Sequence, residues 1–384
     1  MMKKGHPAER SLVTPIYQSS VFGFDSLDEM IAAFDGSTSD YIYSRIANPS
    51  LAAAEQTLAE WEQAAGAVLF SSGLAASFAV FSSLLRPTDH VVVGRDLYGG
   101  TAVQLKEFLE PWGIKVSFVN LVDQPAKHLE DCCTHQTKLI FFETPTNPTM
   151  KIVDIGSVVD FAKSHQLTTV VDNTFATPIN QQPLTLGVDL VTHSATKYLG
   201  GHDDVTAGVV MSRDAELLQK IKRYRTYAGA VLDPNSAFLL ERGLKTLGIR
   251  MDIHNKNAAY LAEFLTGHPS VKKVYYPGLA DAPNHAIARK QMNHFGGMLA
   301  FEIDSRKDAV NDFIASLRNI RLIPSLGGVE TTVLVPSYSS HFFMTPKEKK
   351  EIGISDGLIR VSVGIETIES IIGEFAEALD GLGN

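Results

Sequence analysis

Cysteine and metal-ligand clusters are scarce in this sequence. Its 384 residues include two cysteines, which are adjacent at positions 132 and 133. Neighbouring cysteines provide neither a disulfide framework nor a zinc-ligand spacing, so we expect reduced structural thiols and a cytoplasmic location. The twelve histidines form no cluster at ligand spacing, which argues against a metal site.

Long apolar runs and excess positive charge are also missing. No apolar run is long enough to span a bilayer. Residues 1–7 are basic but are followed by polar sequence, so we expect no secretory signal. The net charge is -9, from 34 basic and 43 acidic side chains, and it repels a phosphate backbone. Nucleic acid and membrane are therefore not expected partners.

Several common catalytic motifs are absent from the sequence as well. It has no G-x-G-x-x-G or G-x-x-x-x-G-K-[ST] for nucleotide phosphates, no H-E-x-x-H for zinc and no G-x-S-x-G elbow for a serine nucleophile. The chemistry has to come from other residues.

Short apolar segments alternate with segments of helical period from about residue 53 onwards. This alternation predicts an α/β fold with a mostly parallel sheet, followed by a smaller α+β region. Because ligands bind beyond the carboxyl ends of such strands, residues that follow the strands should converge on one cleft. The predicted strands of the first region are 67–70, 90–93, 115–119, 138–142, 168–171, 189–193 and 209–211.

A lysine and an aspartate each follow one of these strands. Lys197 lies in a Ser-Ala-Thr-Lys run, and Asp172 closes the strand 168–171. Such a lysine can form a Schiff base with an aldehyde cofactor, and a buried carboxylate can keep a pyridine nitrogen protonated. We therefore predict a pyridoxal 5'-phosphate enzyme. In the alternative interpretation Lys197 is a solvated surface lysine and Asp172 caps the next segment through an Asx turn.

Three further features fit an anionic cofactor and an amino-acid substrate. A strand, a small-residue turn and a helix start meet at Gly73 and Leu74, whose N-H groups could bind a phosphate, although ordinary α/β turns look similar. The N-terminal region carries Tyr43 and Arg45, and its arginine suits a phosphate of a neighbouring subunit. Arg360 occupies an apolar strand and needs a partner, either a substrate carboxylate or a structural salt bridge.

The chain is accordingly divided into three regions. Residues 1–52 are predicted to be an extended arm that reaches a neighbouring subunit, 53–234 the cofactor-binding domain, and 235–384 the C-terminal α+β domain. The C-terminal domain should begin with one long helix over 236–266.

Motifs in order along the whole chain resemble the Cys/Met-metabolism family of pyridoxal phosphate enzymes, which carry out trans-sulfuration. This resemblance implies the aspartate-aminotransferase type of fold and a homo-oligomer, usually a tetramer built from active dimers. The segments that carry the resemblance are Tyr-Ser-Arg at 43–45, Ser-Gly at 72–73, Asp-Leu-Tyr-Gly-Gly-Thr at 96–101, Glu-Thr-Pro-Thr-Asn-Pro at 143–148, Val-Asp-Asn-Thr at 171–174, Ser-Ala-Thr-Lys-Tyr-Leu-Gly-Gly-His at 194–202, Ser-Leu-Gly-Gly at 325–328 and Arg-Val-Ser-Val-Gly-Ile-Glu at 360–366.

The resemblance also implies a role for each matching residue. Lys197 matches the Schiff-base lysine that moves protons on the substrate, and Asp172 matches the partner of the pyridine nitrogen. Tyr98 is expected to stack on the ring and to assist as acid or base. The remaining matches hold the phosphate (Gly73, Leu74, Ser194 and Thr196, with Tyr43 and Arg45 from the partner subunit) or the substrate carboxylate and the cofactor (Arg360, Ser325 and Asn147).

Within the family, the residues around the reacting carbon favour γ-elimination. Gly100 stands where methionine γ-lyases typically carry cysteine, and Glu330 matches an acidic position of cystathionine enzymes that can meet a distal ammonium. The run 336–341, which includes Ser339 and Ser340, departs from the usual pattern and resembles sulfhydrylase sequences in length, so the leaving group stays open. We predict a cystathionine-type γ-lyase that gives 2-oxobutyrate, ammonia and a thiol. The alternatives are a cystathionine γ-synthase or O-acylhomoserine sulfhydrylase, then a methionine γ-lyase, and a catalytically silent cofactor-binding protein.

Overall fold

A computed structural model describes residues 11–342 and 344–383 of the chain. The first ten residues, which include the basic start and part of the predicted arm, lie outside the described residues. No helix in the described part is both long and apolar enough to cross a membrane.

The strands form two sheets, and the larger one is mostly parallel. Its seven strands lie in the order β1-β7-β6-β5-β4-β2-β3, and only β7 runs against its neighbours. The predicted α/β fold is confirmed. The strands of this sheet are β1 Gly66–Phe70, β2 His90–Gly94, β3 Lys115–Val119, β4 Thr137–Glu143, β5 Thr168–Asp172, β6 Leu190–His193 and β7 Gly208–Ser212.

The smaller sheet belongs to the C-terminal region and is mostly antiparallel. Its order is β10-β11-β12-β9-β8, with a single parallel pair, β10 and β11. The sequence predicts three of these strands, over 271–275, 298–303 and 358–363, but not the short β10 and β11. The strands are β8 Lys273–Tyr275, β9 Met298–Glu302, β10 Arg321–Leu322, β11 Thr332–Leu334 and β12 Leu358–Ser362.

Helices cover both faces of the larger sheet and one side of the smaller one. They are α1 Leu27–Asp35, α2 Pro49–Glu62, α3 Gly73–Leu84, α4 Gly99–Val103, α5 Pro125–Cys132, α6 Ile155–Ser164, α7 Thr177–Asn180, α8 Ala215–Ala228, α9 Pro234–Leu244, α10 Leu247–Gly267, α11 His285–Gln291, α12 Lys307–Ser316, α13 Pro346–Ile352 and α14 Ile368–Asp380. The helix predicted after β2 is α4 followed by a π-helical segment, Gln104–Leu109.

Successive residues of the central strands enter different cores. Val92 packs into the apolar cluster that also contains Leu58 of α2, whereas Val91 and Val93 pack into the cluster with Phe81 of α3. Both faces of the sheet are therefore buried. Each central strand is accordingly a continuous run of apolar residues and not an alternation of apolar and polar ones. β4, β5 and β6 nevertheless end in the polar residues Glu143, Asp172 and His193.

The single helix predicted over 236–266 is wrong, because the segment forms α9 and α10 with a break at Thr246. The carbonyl of Gly243 accepts from Thr246 N at 3.2 Å and from Arg250 Nη2 at 2.9 Å, so it does not continue the regular helical ladder. Arg250 also donates to Tyr198 O at 2.9 Å. Its buried guanidinium thus joins the helix break to the turn that carries Lys197.

The predicted boundaries of the cofactor-binding domain, after residues 52 and 234, stay predictions. The packing of the helices next to them is as follows. Helix α2 begins at Pro49, and its Leu51 shares one apolar core with Leu240 of α9 and Met251 of α10. The arm also contains the helix α1, begun by Ser26, whose side chain accepts from Glu29 N. An isolated antiparallel bridge joins Val21, which precedes α1, to Tyr43, which lies between α1 and α2.

Replacing Arg250 by methionine tests how strongly the helix break is tied to the cofactor domain. Because Arg250 is 3% exposed and bonds two backbone carbonyls, Arg250→Met should lower the free energy of unfolding by about 3 kcal/mol. The control is Arg318→Met, whose exposed ion pair with Glu377 should matter by less than about 1 kcal/mol. Equal unfolding temperatures for the two variants would contradict this prediction.

Candidate functional site

A cavity of about 1080 Å³ opens at the carboxyl edge of the larger sheet and reaches the smaller sheet. It collects residues that follow β1, β2, β4, β5 and β6, together with residues of the C-terminal region. The predicted site residues that line it are Gly73, Leu74, Tyr98, Asn147, Asp172, Ser194, Thr196, Lys197, Ser325 and Arg360.

Lys197 stands in a tight turn directly after β6. The turn is closed by Lys197 N donating to Ser194 O at 3.1 Å and Gly201 N donating to Lys197 O at 2.8 Å. Its Nζ donates to Ser325 Oγ at 3.0 Å. Burial, with a second contribution from the positive charge of Arg360, lowers the pKa of Lys197. The amine is therefore nearer to its neutral, nucleophilic form than a surface lysine would be.

Asp172 ends β5 beside this turn. Its Oδ1 accepts from Thr174 N at 3.0 Å and from the Thr174 hydroxyl. Burial raises the pKa of Asp172, and the Thr174 hydrogen bonds oppose that rise. The Asx-type contact of the alternative interpretation is thus present. The same carboxyl also lines the cavity, so the contact orients it without removing it from the site.

The turn after β1 has the geometry of an anion site. Ser72 caps α3, with its hydroxyl accepting from Ala75 N at 3.1 Å, and the first N-H groups of a helix have no partner within it. A Cβ on Gly73 would lie 2.7 Å from Ser194 Cβ, so only glycine lets the two turns meet. The Thr196 hydroxyl already bonds both backbone groups of Ala207, at 3.1 and 3.0 Å.

Arg360 enters the cavity from β12 of the smaller sheet. Its guanidinium donates to Asn147 Oδ1 at 3.0 Å through Nη1 and to Ser325 O at 3.0 Å through Nη2. Both partners are neutral, and the side chain is 4% exposed. A structural salt bridge, the alternative given above, is not among the ion pairs of the described residues. The buried cation can therefore take a carboxylate as its ion partner.

Tyr98 lies at the start of α4 and lines the same cavity as Lys197, and it is 46% exposed. A Cβ on Gly100 would lie 2.6 Å from Tyr98 Cε1, so this glycine gives the ring its room. Sequence reasoning noted Glu143 after a strand but gave it no role. In the structure Glu143 Oε1 accepts from Tyr98 N at 2.7 Å.

Three predicted site residues lie away from this cavity. Arg45 donates to Thr226 O at 2.6 Å and stacks on Tyr43, with its Cζ 5.3 Å from the ring centroid. Both side chains are exposed. Glu330 is exposed as well and does not line the cavity. The placement of Glu330 gives no support to its predicted contact with a substrate ammonium.

One wall of the cavity contains Ser339 and Ser340, whose contacts the sequence did not predict. Ser339, Ser340, His341 and Met344 line the cavity beside α4, where a Cβ on Gly99 would lie 2.7 Å from Ser340 O. His341 is 2% exposed, and burial lowers its pKa to about 4. Its Nδ1 lies 2.8 Å from Ser340 Oγ. The histidine is therefore neutral and fixes the serine side chain, a contact that no sequence spacing indicates.

Pyridoxal phosphate fits this set of residues. The cavity offers a desolvated amine on Lys197, a carboxyl on Asp172, unpaired N-H groups at the start of α3 and an aromatic ring on Tyr98. These groups match, in the same order, an aldehyde, a pyridine nitrogen, a phosphate and a ring face.

Known proteins resemble the chain over nearly its whole length. The family described as "Cys/Met metabolism PLP-dependent enzyme" matches residues 2–380. Cystathionine beta-lyase of Lactococcus lactis subsp. cremoris (strain MG1363) is 44% identical over 95% of this chain and 93% of its own length.

Two solved structures also superpose on the chain. Cystathionine gamma synthase from Xanthomonas oryzae pv. oryzae, in complex with aminoacrylate and cysteine, has a TM-score of 0.93 at 39% identity, covering 98% of this chain and 95% of that one. Cystathionine gamma-lyase from Lactobacillus plantarum, complexed with L-serine, has a TM-score of 0.90 at 38% identity, covering 96% and 93%. These relatives carry three different activities.

The contact between the two turns can be tested with Gly73→Ala. Because the new Cβ has to push Ser194 away, the helix start should shift and bind pyridoxal phosphate about ten-fold more weakly, as for the loss of one hydrogen bond to a charged group. The measurement is a titration of the apoenzyme with cofactor. Gly373→Ala, in α14 with open space around it, is the control and should keep the affinity unchanged. Unchanged affinity in the Gly73 variant would contradict the assignment.

Proposed function

Because the chain belongs to the Cys/Met metabolism family of pyridoxal phosphate-dependent enzymes, we propose that it is a cystathionine-type γ-lyase. It would convert a γ-substituted sulfur amino acid into 2-oxobutyrate, ammonia and a thiol. The observation that carries the proposal is the position of the Lys197 amine, 3.0 Å from Ser325 Oγ and close to the buried Arg360. An amine placed next to a carboxylate site can reach the carbons adjacent to that carboxylate.

The cofactor is held by residues of the larger sheet. When bound, pyridoxal phosphate supplies a carbonyl that bonds to amines and an electron-poor ring that stabilises negative charge on the adjoining carbon. The N-H groups of Gly73 and Leu74, with the Ser194 hydroxyl, would bind its phosphate. Asp172 would be the partner of the ring nitrogen, and Tyr98 would pack on the ring. The Thr196 hydroxyl would also contact the phosphate, and its two hydrogen bonds with the backbone of Ala207 fix its orientation.

The substrate is oriented by its carboxylate. The Arg360 guanidinium, which has no ion partner among the described residues, binds the substrate carboxylate. Asn147 Oδ1 and Ser325 O hold the guanidinium in place. This contact fixes the α carbon near Lys197. Binding through one carboxylate is common to all reactions of the family, so it sets the substrate class, an L-amino acid, and not the leaving group.

Lys197 then carries the protons. Its lowered pKa lets the amine accept the proton from the α carbon near neutral pH, and its flexible chain lets it serve the neighbouring carbon as well. The Tyr98 hydroxyl, across the cavity, can protonate the departing thiolate. γ-Elimination requires proton movement at two carbons, and this arrangement provides one mobile base and a second acid.

Product analysis distinguishes the proposed reaction from its relatives' reactions. Purified enzyme is incubated with cystathionine, methionine, homocysteine and O-acylhomoserines, with and without cysteine. We expect 2-oxobutyrate and cysteine from cystathionine, and a preference for cystathionine over methionine because Gly100 provides no cysteine side chain beside Tyr98.

The matched control is Lys197→Ala, which should lose the visible absorption of the bound cofactor and all turnover. Pyruvate and homocysteine as the main products would replace the proposal by β-elimination. A thiol adduct of the O-acylhomoserine as the main product would replace it by γ-replacement.

We also propose that the enzyme is a homo-oligomer in which Tyr43 and Arg45 complete the phosphate site of the neighbouring subunit. Both side chains are exposed and lie away from the cavity of their own chain. Arginine and tyrosine donors suit a phosphate, which needs more partners than the α3 turn provides.

Mixed oligomers of Arg45→Ala and Lys197→Ala chains test this arrangement. If the site is shared, one pocket of each mixed dimer receives both defects and the other receives none, so mixing should restore about half of the wild-type activity per mixed dimer. If Arg45 serves its own chain, both pockets are defective and mixing restores nothing. Each variant incubated alone is the control.

A further inference from the structure

Glu143 and Asp172 form a pair of carboxyl groups at the edge of the larger sheet. They end the adjacent parallel strands β4 and β5 and are paired in register, so their side chains lie on the same face. Both line the cavity, and Glu143 is 6% exposed. Two carboxylates this close in a desolvated site cannot both be charged without strong repulsion.

The hydrogen bonds around the pair are unequal. Asp172 accepts two hydrogen bonds from Thr174, which stabilise a carboxylate. Glu143 Oε1 accepts a single one, from Tyr98 N at 2.7 Å. Burial, followed by the negative charge of Asp172, raises the pKa of Glu143 well above its usual range.

Other charged groups near Glu143 do not offset this asymmetry. Asp96, in the turn after β2, adds negative charge, and it is itself paired with Lys151 at 2.6 Å. Lys197 lies across the cavity. The group that needs to be ionised for the ring nitrogen is Asp172, and a second carboxylate beside it would raise the pKa of Asp172 as well.

The contact with Tyr98 gives Glu143 a mechanical role. Tyr98 begins α4, and no side chain caps this helix start. The Glu143 carboxyl therefore anchors the backbone from which the Tyr98 ring extends into the cavity. Gly99 and Gly100, which follow Tyr98, contribute no side chain that could hold the turn, whereas Leu97 before it is buried in the apolar cluster of α3.

We propose that Glu143 is a positioning residue that works as a neutral carboxylic acid. It holds the Tyr98 turn against the cofactor and leaves Asp172 as the one charged carboxyl of the pair. This inference requires the cofactor but not the proposed choice of γ-elimination, so it can fail or hold independently of the reaction products.

Cofactor binding to the apoenzyme tests the proposal without relying on turnover. Glu143→Gln keeps the acceptor oxygen and is always neutral, so its dissociation constant for pyridoxal phosphate at pH 7 should stay within about three-fold of wild type. Glu143→Ala removes the acceptor for a buried N-H and should bind about ten-fold more weakly. Glu302→Gln, in the smaller sheet, is the matched control and should bind as wild type does.

The pH dependence of apoenzyme stability is a second measurement. The pKa of Glu143 is raised in the folded state, so its contribution to stability is fully present below the unfolded value of 4.5 and is lost as pH rises towards the folded value. Glu143→Gln cannot ionise. Its melting temperature relative to wild type should therefore rise between pH 5 and pH 8, while Glu302→Gln shows no such trend. Asp172, Asp96, Lys151 and Lys197 all keep their side chains in the Gln variant.

Two outcomes would overturn the proposal. If Glu143→Gln binds cofactor as poorly as Glu143→Ala, the negative charge of Glu143 is what the site uses. If Glu143→Ala binds as wild type does, the contact with Tyr98 N positions nothing. Should the alanine variant fail to fold, Glu143→Asp replaces it, because its shorter side chain withdraws the carboxyl from Tyr98 N while keeping a carboxyl group at this position.

Discussion

The buried guanidinium of Arg360 is the interaction on which the arrangement of the site depends. It stands on β12 of the smaller sheet but donates to Asn147, which belongs to the larger-sheet region. A cation in such a place is stable only while its donors are paired, so the two regions are held in one relative position by a polar contact and not by apolar packing alone. The cavity between the sheets exists because of that position.

The same charge affects the chemistry of Lys197. Arg360 and Lys197 share the cavity without a carboxylate between them, and the repulsion helps to lower the pKa of the amine. A substrate carboxylate bound to Arg360 would reduce that repulsion and raise the proton affinity of Lys197 at the moment when a proton has to be accepted. Substrate orientation and base strength are therefore coupled through one arginine.

Sequence reasoning was accurate where local pattern and backbone geometry decide the outcome. The strand segments are apolar on both faces, and their ends carry Asp172 and Lys197, so the parallel topology alone brings these residues to one edge. Reasoning failed where a distant contact overrides local preference. The helix break at Thr246 depends on Arg250, which bonds Gly243 and Tyr198, and periodicity contains no information about that contact. The sequence places Glu143 directly after a predicted strand, but the hydrogen bond that it accepts from Tyr98 N joins residues 45 apart in sequence.

The residues that hold the cofactor and those that shape the outer cavity are physically separate sets. Lys197, Asp172 and the α3 turn are fixed by the sheet, and they serve every reaction that begins with loss of the α proton. The wall that contains Ser339, Ser340, His341 and Met344 instead approaches α4 at Gly99, and the neighbouring Gly100 leaves space for the Tyr98 ring. A side chain at position 100 would force that ring, or Leu74 behind it, to move. Because a leaving group must depart past Tyr98, changes in this wall can redirect the reaction without disturbing the cofactor, and similarity in the sheet cannot by itself determine which bond is cleaved.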